Sequence, residues 1–193
     1  MTVRALTGAA LEAALDGVAA LRIAVFRDWP YLYDGSLEYE RTYLQTYRDS
    51  PGALLVGAFD GDRLIGASTA TPMEDHAEAF AEPLARIGLP VESIYYGAES
   101  VLLPAYRGRG LGHRFFDLRE AHARALGRSH VAFCSVKRPE DHPLRPAYAR
   151  TNDAFWRKRG YAPLPGVMAE FSWRDLGDSV ETAKPLQFWM RAL

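Results

Sequence analysis

Val101-Leu-Leu-Pro-Ala-Tyr-Arg-Gly-Arg-Gly-Leu-Gly-His113 is the stretch on which the fold turns. An apolar, strand-like run breaks at Pro104, passes through Gly108, Gly110 and Gly112, and enters an amphipathic helical pattern. Alternate glycines allow turns and close ligand approaches that a side chain would forbid, so backbone N–H groups at a helix start can point at phosphate oxygens. A phosphate-bearing cofactor is the first expectation. The dinucleotide fingerprint G-x-G-x-x-G does not fit, because its last position falls on His113 counted from Gly108 and on Phe115 counted from Gly110. The P-loop pattern fails as well, since no Gly-Lys-Ser or Gly-Lys-Thr occurs.

Outward from this loop, the chain reads as a mixed α/β domain. Thr2 to Leu6 suits a first strand, and Leu11, Leu15, Val18, Leu21 and Val25 recur at helical spacing up to about Arg27. An aromatic loop, Trp29 to Gly35, leads to a second helix around Leu37 to Tyr47 that Ser50-Pro-Gly52 terminates. Ala53–Phe59 and Arg63–Thr69 flank Asp60-Gly61-Asp62, the strongest hairpin signal in the sequence. Glu74 to Gly88 reads as a helix, Ile94 to Leu103 as the strand feeding the glycine loop, and Leu111 to Leu126 as the helix behind it, with Gly127 as its stop. His130 to Val136 is a buried strand, followed by a proline-rich loop and a helix from about Thr151 to Arg159. Val167–Trp173 and Gln187–Ala192 complete the strands. The order predicts an α+β fold with a largely antiparallel sheet flanked by helices.

Composition narrows the function classes. The 193 residues suit one domain spanning 1–193, and 48% hydrophobic with 24% charged residues is ordinary for a globular protein. A net charge of −1 argues against nucleic acid or an anionic membrane as partner. The N-terminus carries Glu12 and Asp16 within its apolar pattern, unlike a signal peptide, and no stretch approaches ~20 apolar residues, so no membrane span is expected. The single cysteine, Cys134, is consistent with a reducing compartment, and the cytoplasm is the expected location. The five histidines form no close pair with supporting ligands, so no metal is expected.

Arg107-x-x-Gly110-x-Gly112, with the preceding Leu102-x-Pro104-x-Tyr106-Arg107-Gly108, resembles the [RQ]-x-x-G-x-[GA] signature of the GNAT superfamily of N-acetyltransferases. Asn152-Asp-Ala-Phe-Trp-Arg-Lys-Arg-Gly160-Tyr161 resembles that family's second landmark, an aromatic-bearing helix ending in Gly-Phe or Gly-Tyr, and the element order resembles the GNAT fold along nearly the whole chain. The resemblance implies that acetyl-CoA is the cofactor and that an acetyl group moves to an amine by direct attack in a ternary complex. It implies that amides of Arg107, Gly108, Arg109, Gly110, Leu111 and Gly112 hold the pyrophosphate, with Arg107 and Arg109 adding charge at the rim. It also implies that the strands Ile94–Leu103 and His130–Val136 splay, leaving backbone near Leu102 and Leu103 to pair with the pantetheine arm.

An alkylammonium must lose a proton before it can attack a thioester. Glu99 is the candidate base, because it interrupts an apolar and aromatic run and burial would raise its pKa. Many family members use a tyrosine as acid where this chain has Trp156, and an indole N–H is too weak an acid for that task. Either the thiolate leaves unaided or Tyr148 reaches the sulfur from the proline-rich loop. The family's asparagine would fall on Ala149, so Asn152, assigned with Trp156 to the cofactor side, either replaces it or caps its helix. Trp29, Tyr31 and Tyr33 are expected on the acceptor wall. The acceptor itself stays open among small polyamines, antibiotics, amino acids, peptide N-termini and protein lysines. A non-catalytic acyl-CoA-binding module is the alternative reading, motivated by Trp156. A homodimer is a further possibility, with Leu186–Met190 either offering a strand to a second subunit or packing on its own sheet.

Overall fold

A computed structural model describes residues 1–193. Its strands are β1 (Thr2–Leu6), β2 (Leu54–Asp60), β3 (Arg63–Pro72), β4 (Ile94–Leu102), β5 (His130–Val136), β6 (Ala162–Arg174) and β7 (Glu181–Ala192). The helices are α1 (Gly8–Glu12), α2 (Leu15–Phe26), α3 (Leu37–Tyr43), α4 (Gln45–Asp49), α5 (Glu78–Arg86), α6 (Leu111–Ala125) and α7 (Asp153–Lys158). One seven-stranded sheet runs β1-β2-β3-β4-β5-β7-β6, antiparallel at every pairing except β4 with β5. No helix is long and apolar enough to cross a membrane.

Local chemistry explains the departures from the expected boundaries. The first long helix is two, because a tight turn at Ala13 and Ala14, closed by Ala14 N–H to Leu11 O at 3.0 Å, interrupts it. The Leu37–Tyr47 segment also divides, into α3 and α4, with Ser36 Oγ accepting from Tyr39 N–H at 3.3 Å as the cap of α3. The stretch expected to be helical from Glu74 instead makes a 3-10 turn at Met73–Asp75 before α5 begins at Glu78. The last two strands are longer than expected and form one hairpin, with a register break between Pro163 and Met168 where Pro165 and Gly166 cannot sustain the ladder.

Two hydrophobic layers sandwich the sheet. On one face Val18, Leu21, Phe80, Leu84, Ile94, Tyr96, Val101 and Phe188 pack among α1 to α5. On the other, Leu111, Phe115 and Phe116 of α6 meet Tyr95, Val131, Phe133, Tyr161 and Trp189. Because β7 is hydrogen-bonded to β5 on one side and β6 on the other, Leu186–Met190 lies inside its own sheet and has no free backbone edge for a second subunit.

Two irregularities position the site. β4 and β5 pair only at Ile94–Tyr96 with His130–Ala132, after which β4 follows β3 and β5 follows β7, so a wedge opens between them. At the same level the β3–β4 register slips: Thr69 faces Glu99 but Ala70 faces Gly97, leaving Ala98 as an extra residue. Such a bulge breaks the strict alternation of a strand. Here it turns Ala98 and Glu99 toward the same face, while Ser100 turns back toward α6, where Ser68 Oγ lies 3.0 Å from Ser100 Oγ and Arg119 Nη1 donates to Ser68 Oγ at 3.0 Å.

Candidate active site

The glycine loop lies at the mouth of the wedge. Gly108 and Gly110 have φ of +75° and +79°, a left-handed backbone that favours glycine, and no atom lies within 4 Å of where their Cβ would be. Gly112 behaves differently: it lies inside α6, and a Cβ there would make ordinary contact with Phe155 Cζ at 3.6 Å. The expectation that all three glycines permit a forbidden turn is therefore corrected to two. The amides of Gly108 to Gly112 find no acceptor within the protein, leaving a run of N–H donors at the N-terminus of a 15-residue helix, whereas the Arg107 amide, expected in the same run, instead donates to Pro104 O at 3.2 Å because the chain closes a 3-10 turn there. An open concavity of unpaired donors fits the pyrophosphate of a coenzyme A compound.

The loop's own side chains hold this shape. Arg107 Nε donates to Leu102 O at 3.1 Å, and Arg109 Nη2 donates to Ala105 O at 3.0 Å. Tyr106 Oη donates to Asp60 Oδ2 at 2.9 Å, which ties the loop to the turn between β2 and β3. Leu103 N–H is taken by Ile65 O at 3.0 Å, and Leu102 pairs with Gly66, so the loop hangs from β3 while the side of β4 facing β5 stays free. Trp156 is half-buried, its ring 5.0 Å from both Phe133 and Trp189 at the β5 side of the wedge. Asn152 is the N-cap residue of α7, yet its exposed side chain makes no capping hydrogen bond.

Within the wedge, on the face carrying α2 and α3, is a chamber of about 70 Å³. Ala98 and Cys134 line it from the two splayed strands, and Tyr31, Tyr33, Tyr39, Tyr43, Tyr96, Phe171 and Trp173 supply most of the remaining wall. Arg22 and Glu99 are its only charged wall residues. Arg22 bridges Glu99 and Glu40, and all three side chains are buried. The Arg22 guanidinium also lies 4.2 Å from the centre of the Tyr43 ring. Thr69 Oγ1 donates to Glu99 Oε2, and Tyr47 Oη donates to the same oxygen at 3.2 Å. Burial pushes the Glu99 carboxyl above its usual range, and the adjacent Arg22 only partly offsets this. Burial likewise pushes the Cys134 thiol far up, so it stays protonated at neutral pH.

The expected acceptor wall is met in part. Tyr31 and Tyr33 line the chamber, whereas Trp29 does not and instead packs on His142, with ring centres 5.3 Å apart. Tyr148 is 84% exposed and is not a wall residue. Sequence reasoning missed Arg22, Glu40, Tyr39, Tyr43, Phe171 and Trp173. It also missed the staple that holds the aromatic loop: Arg138 donates to Pro30 O at 2.8 Å and Tyr31 O at 2.6 Å while bridging Asp175 at 2.6 Å and 2.8 Å. Trp173 Nε1 adds a 2.9 Å bond to Tyr31 O.

Similarity to known proteins agrees with this geometry. The solved structures it resembles include the ribosomal-protein-alanine N-acetyltransferase from Brucella melitensis, at 16% identity and a TM-score of 0.63, covering 100% of both chains. An aminoglycoside 6'-N-acetyltransferase complexed with coenzyme A aligns at 16% identity and a TM-score of 0.60, covering 100% of this chain and 97% of that one. The PaiA N-acetyltransferase from Thermoplasma acidophilum in complex with coenzyme A aligns at 13% identity and a TM-score of 0.53, covering 100% of both. No curated protein matches the chain in sequence. The profile of the acetyltransferase (GNAT) family matches residues 19–152, a span that begins within α2 and takes in the bulged strand, the glycine loop and α6, and the chain belongs to that family.

Proposed function

We propose that this protein transfers an acetyl group from acetyl-CoA to a primary amine by direct attack within a ternary complex. The observation that carries the reading is the wedge between β4 and β5, with unpaired amides of Gly108 to Gly112 at its mouth and a chamber bearing Glu99 against Ala98 and Cys134. Acetyl-CoA, when bound, supplies a thioester carbonyl carbon that forms the C–N bond as the C–S bond breaks. The glycine-loop amides and the positive end of α6 hold its phosphates, and the free edge of β4 near Leu102 and Leu103 guides its arm. Glu99 takes the proton that the attacking ammonium must lose, and Arg22, Thr69 and Tyr47 fix its orientation. With Trp156 at the expected acid position and Tyr148 exposed, the thiolate leaves unaided and takes up the second proton, which the nitrogen sheds as the C–N bond forms. The protonated Cys134 argues against a covalent acyl-enzyme, which supports direct attack.

Calorimetric titration with acetyl-CoA, paired with a thiol-release assay on wild type and Glu99→Gln, tests this reading. Because the Glu99 pKa is raised, its base form disappears as pH falls through that raised value, so wild-type kcat/KM drops on the acid side. Glu99→Gln retains acetyl-CoA binding, loses roughly 10²–10⁴-fold in turnover and loses that acid limb. Unchanged turnover removes Glu99 from the mechanism. Absence of acetyl-CoA binding by folded protein rejects the function as a whole.

A further inference from the structure

The chamber described above is too small to hold a whole acceptor, and its surroundings indicate what occupies the rest of the path. A second pocket of about 250 Å³ adjoins it, sharing Tyr33, Tyr39 and Trp173 as walls. The three rings therefore form a collar between an outer polar pocket and an inner chamber. Asp34, Ser36, Ser179 and Glu181 line the outer pocket together with Arg174. Arg174 is already paired with Asp34 at 2.8 Å, and Arg22 is already paired with Glu40 and Glu99. Neither pocket offers an uncommitted cation.

We infer that the acceptor is an arylalkylamine: a primary amine on a short alkyl arm attached to a flat aromatic ring that carries hydroxyl or similar polar substituents. The inference rests on the acetyl-transfer reading above and names the substrate of the same site. The arm fits the inner chamber and brings the ammonium to Glu99. The ring sits in the collar, where Tyr33, Tyr39 and Trp173 present faces and edges to it. Ser36 and Ser179 of the outer pocket give a polar ring substituent hydroxyls to bind just beyond the collar. The outer serines and carboxylates receive any group beyond the ring. Free amino acids are disfavoured because their carboxylate would enter a pocket whose arginines are committed to acids. Polycations are the competing class, because Asp34 and Glu181 of the outer pocket could take a second ammonium, and spermidine and kanamycin in the panel below decide against or for them.

The experiment is a thiol-release assay with acetyl-CoA and a panel of 2-phenylethylamine, tyramine, n-butylamine, spermidine, kanamycin and an alanine-initiated peptide, with acetyl-CoA affinity measured on the same preparation. The expected result is kcat/KM for the arylalkylamines at least tenfold above that for n-butylamine and above every other member. Tyr39→Ala, an outward-lying collar residue that is 38% exposed, raises KM for tyramine at least fivefold more than it raises KM for n-butylamine, while leaving acetyl-CoA affinity unchanged. Trp173→Leu repeats the measurement from the opposite wall. Equal turnover of n-butylamine and 2-phenylethylamine, a preference for spermidine, kanamycin or the peptide, or acetyl-CoA binding without turnover of any arylalkylamine overturns the inference. Only loss of acetyl-CoA binding reaches back to the acetyl-transfer reading, so the two failures are distinct.

Discussion

Alanine at Gly110 and alanine at Gly112, two positions apart in one motif, have opposite consequences. Gly110 has φ +79° with open space around its Cβ position, so the whole penalty of Gly110→Ala is torsional, about 1–2 kcal/mol for an L-residue held in the left-handed region. Gly112 lies within α6, and its new Cβ would touch only Phe155 Cζ at 3.6 Å. Gly112→Ala therefore gains helix propensity, about 0.5–1 kcal/mol. The two variants should differ by about 1.5–3 kcal/mol, which for a domain of this size separates their melting temperatures by roughly 3–12 °C. Thermal melting followed by circular dichroism measures the gap, with urea denaturation to verify that the m-value is unchanged. Whatever part of the strain the loop sheds by relaxing reappears as misaligned amides, so the loss of stability and the loss of acetyl-CoA affinity together account for about 1–2 kcal/mol, and the affinity falls by no more than roughly 5–30-fold. If Gly110→Ala melts with the wild type and keeps its acetyl-CoA affinity, or if Gly112→Ala is the more damaging change, the assignment of left-handed strain to Gly110 is wrong.

Arg22→Met leaves Glu40 and Glu99, 0% and 4% exposed, as uncompensated buried carboxylates. The expected loss is about 3–5 kcal/mol in urea denaturation, and adding Glu40→Gln and Glu99→Gln recovers part of it. Asp175 is subject to burial, which raises its pKa, but hydrogen bonds from Arg138 and Lys184 outweigh burial and hold the carboxyl below its usual range. A depressed folded pKa stabilises the fold above the unfolded value near pH ~3.9, and that stability is lost as pH falls through the folded value. Asp175→Asn should therefore lower the urea midpoint at pH 7, with the difference from wild type shrinking as pH falls below about 3.9, and a difference that stays constant through that descent would contradict the ion-pair account.

The cradle was legible because local backbone demands act directly on residue type. Gly108 and Gly110 declare positive φ, Pro104 ends the strand, and the period of Leu111 to Ala125 declares the helix whose amides are left free. The hairpin at Asp60–Asp62 and the strand His130–Val136 were readable on the same grounds. Arg22 was hidden because a charged residue within an amphipathic helix reads as solvent-facing. It is buried only because Glu40 and Glu99, 18 and 77 positions away, meet it in space. The placement of Tyr148 was equally beyond local pattern, since an aromatic residue in a proline-rich loop carries no signal of the side to which the loop folds.

Glu99 shows where the division falls. Its identity as an acid inside an apolar strand is in the sequence, but plain alternation from Tyr96 and Ala98 would turn it away from the chamber. The extra residue at Ala98, visible only as a slip in the pairing of β4 with β3, rotates Glu99 onto the face where Arg22, Thr69 and Tyr47 wait. By itself the sequence determined the elements and the anion cradle, because those depend on torsion angles and periodicity within a few residues. The tertiary structure alone decided the charge cluster and the aromatic collar, because strand register and the packing of α2, α3 and β6 are set by contacts between residues far apart in the chain.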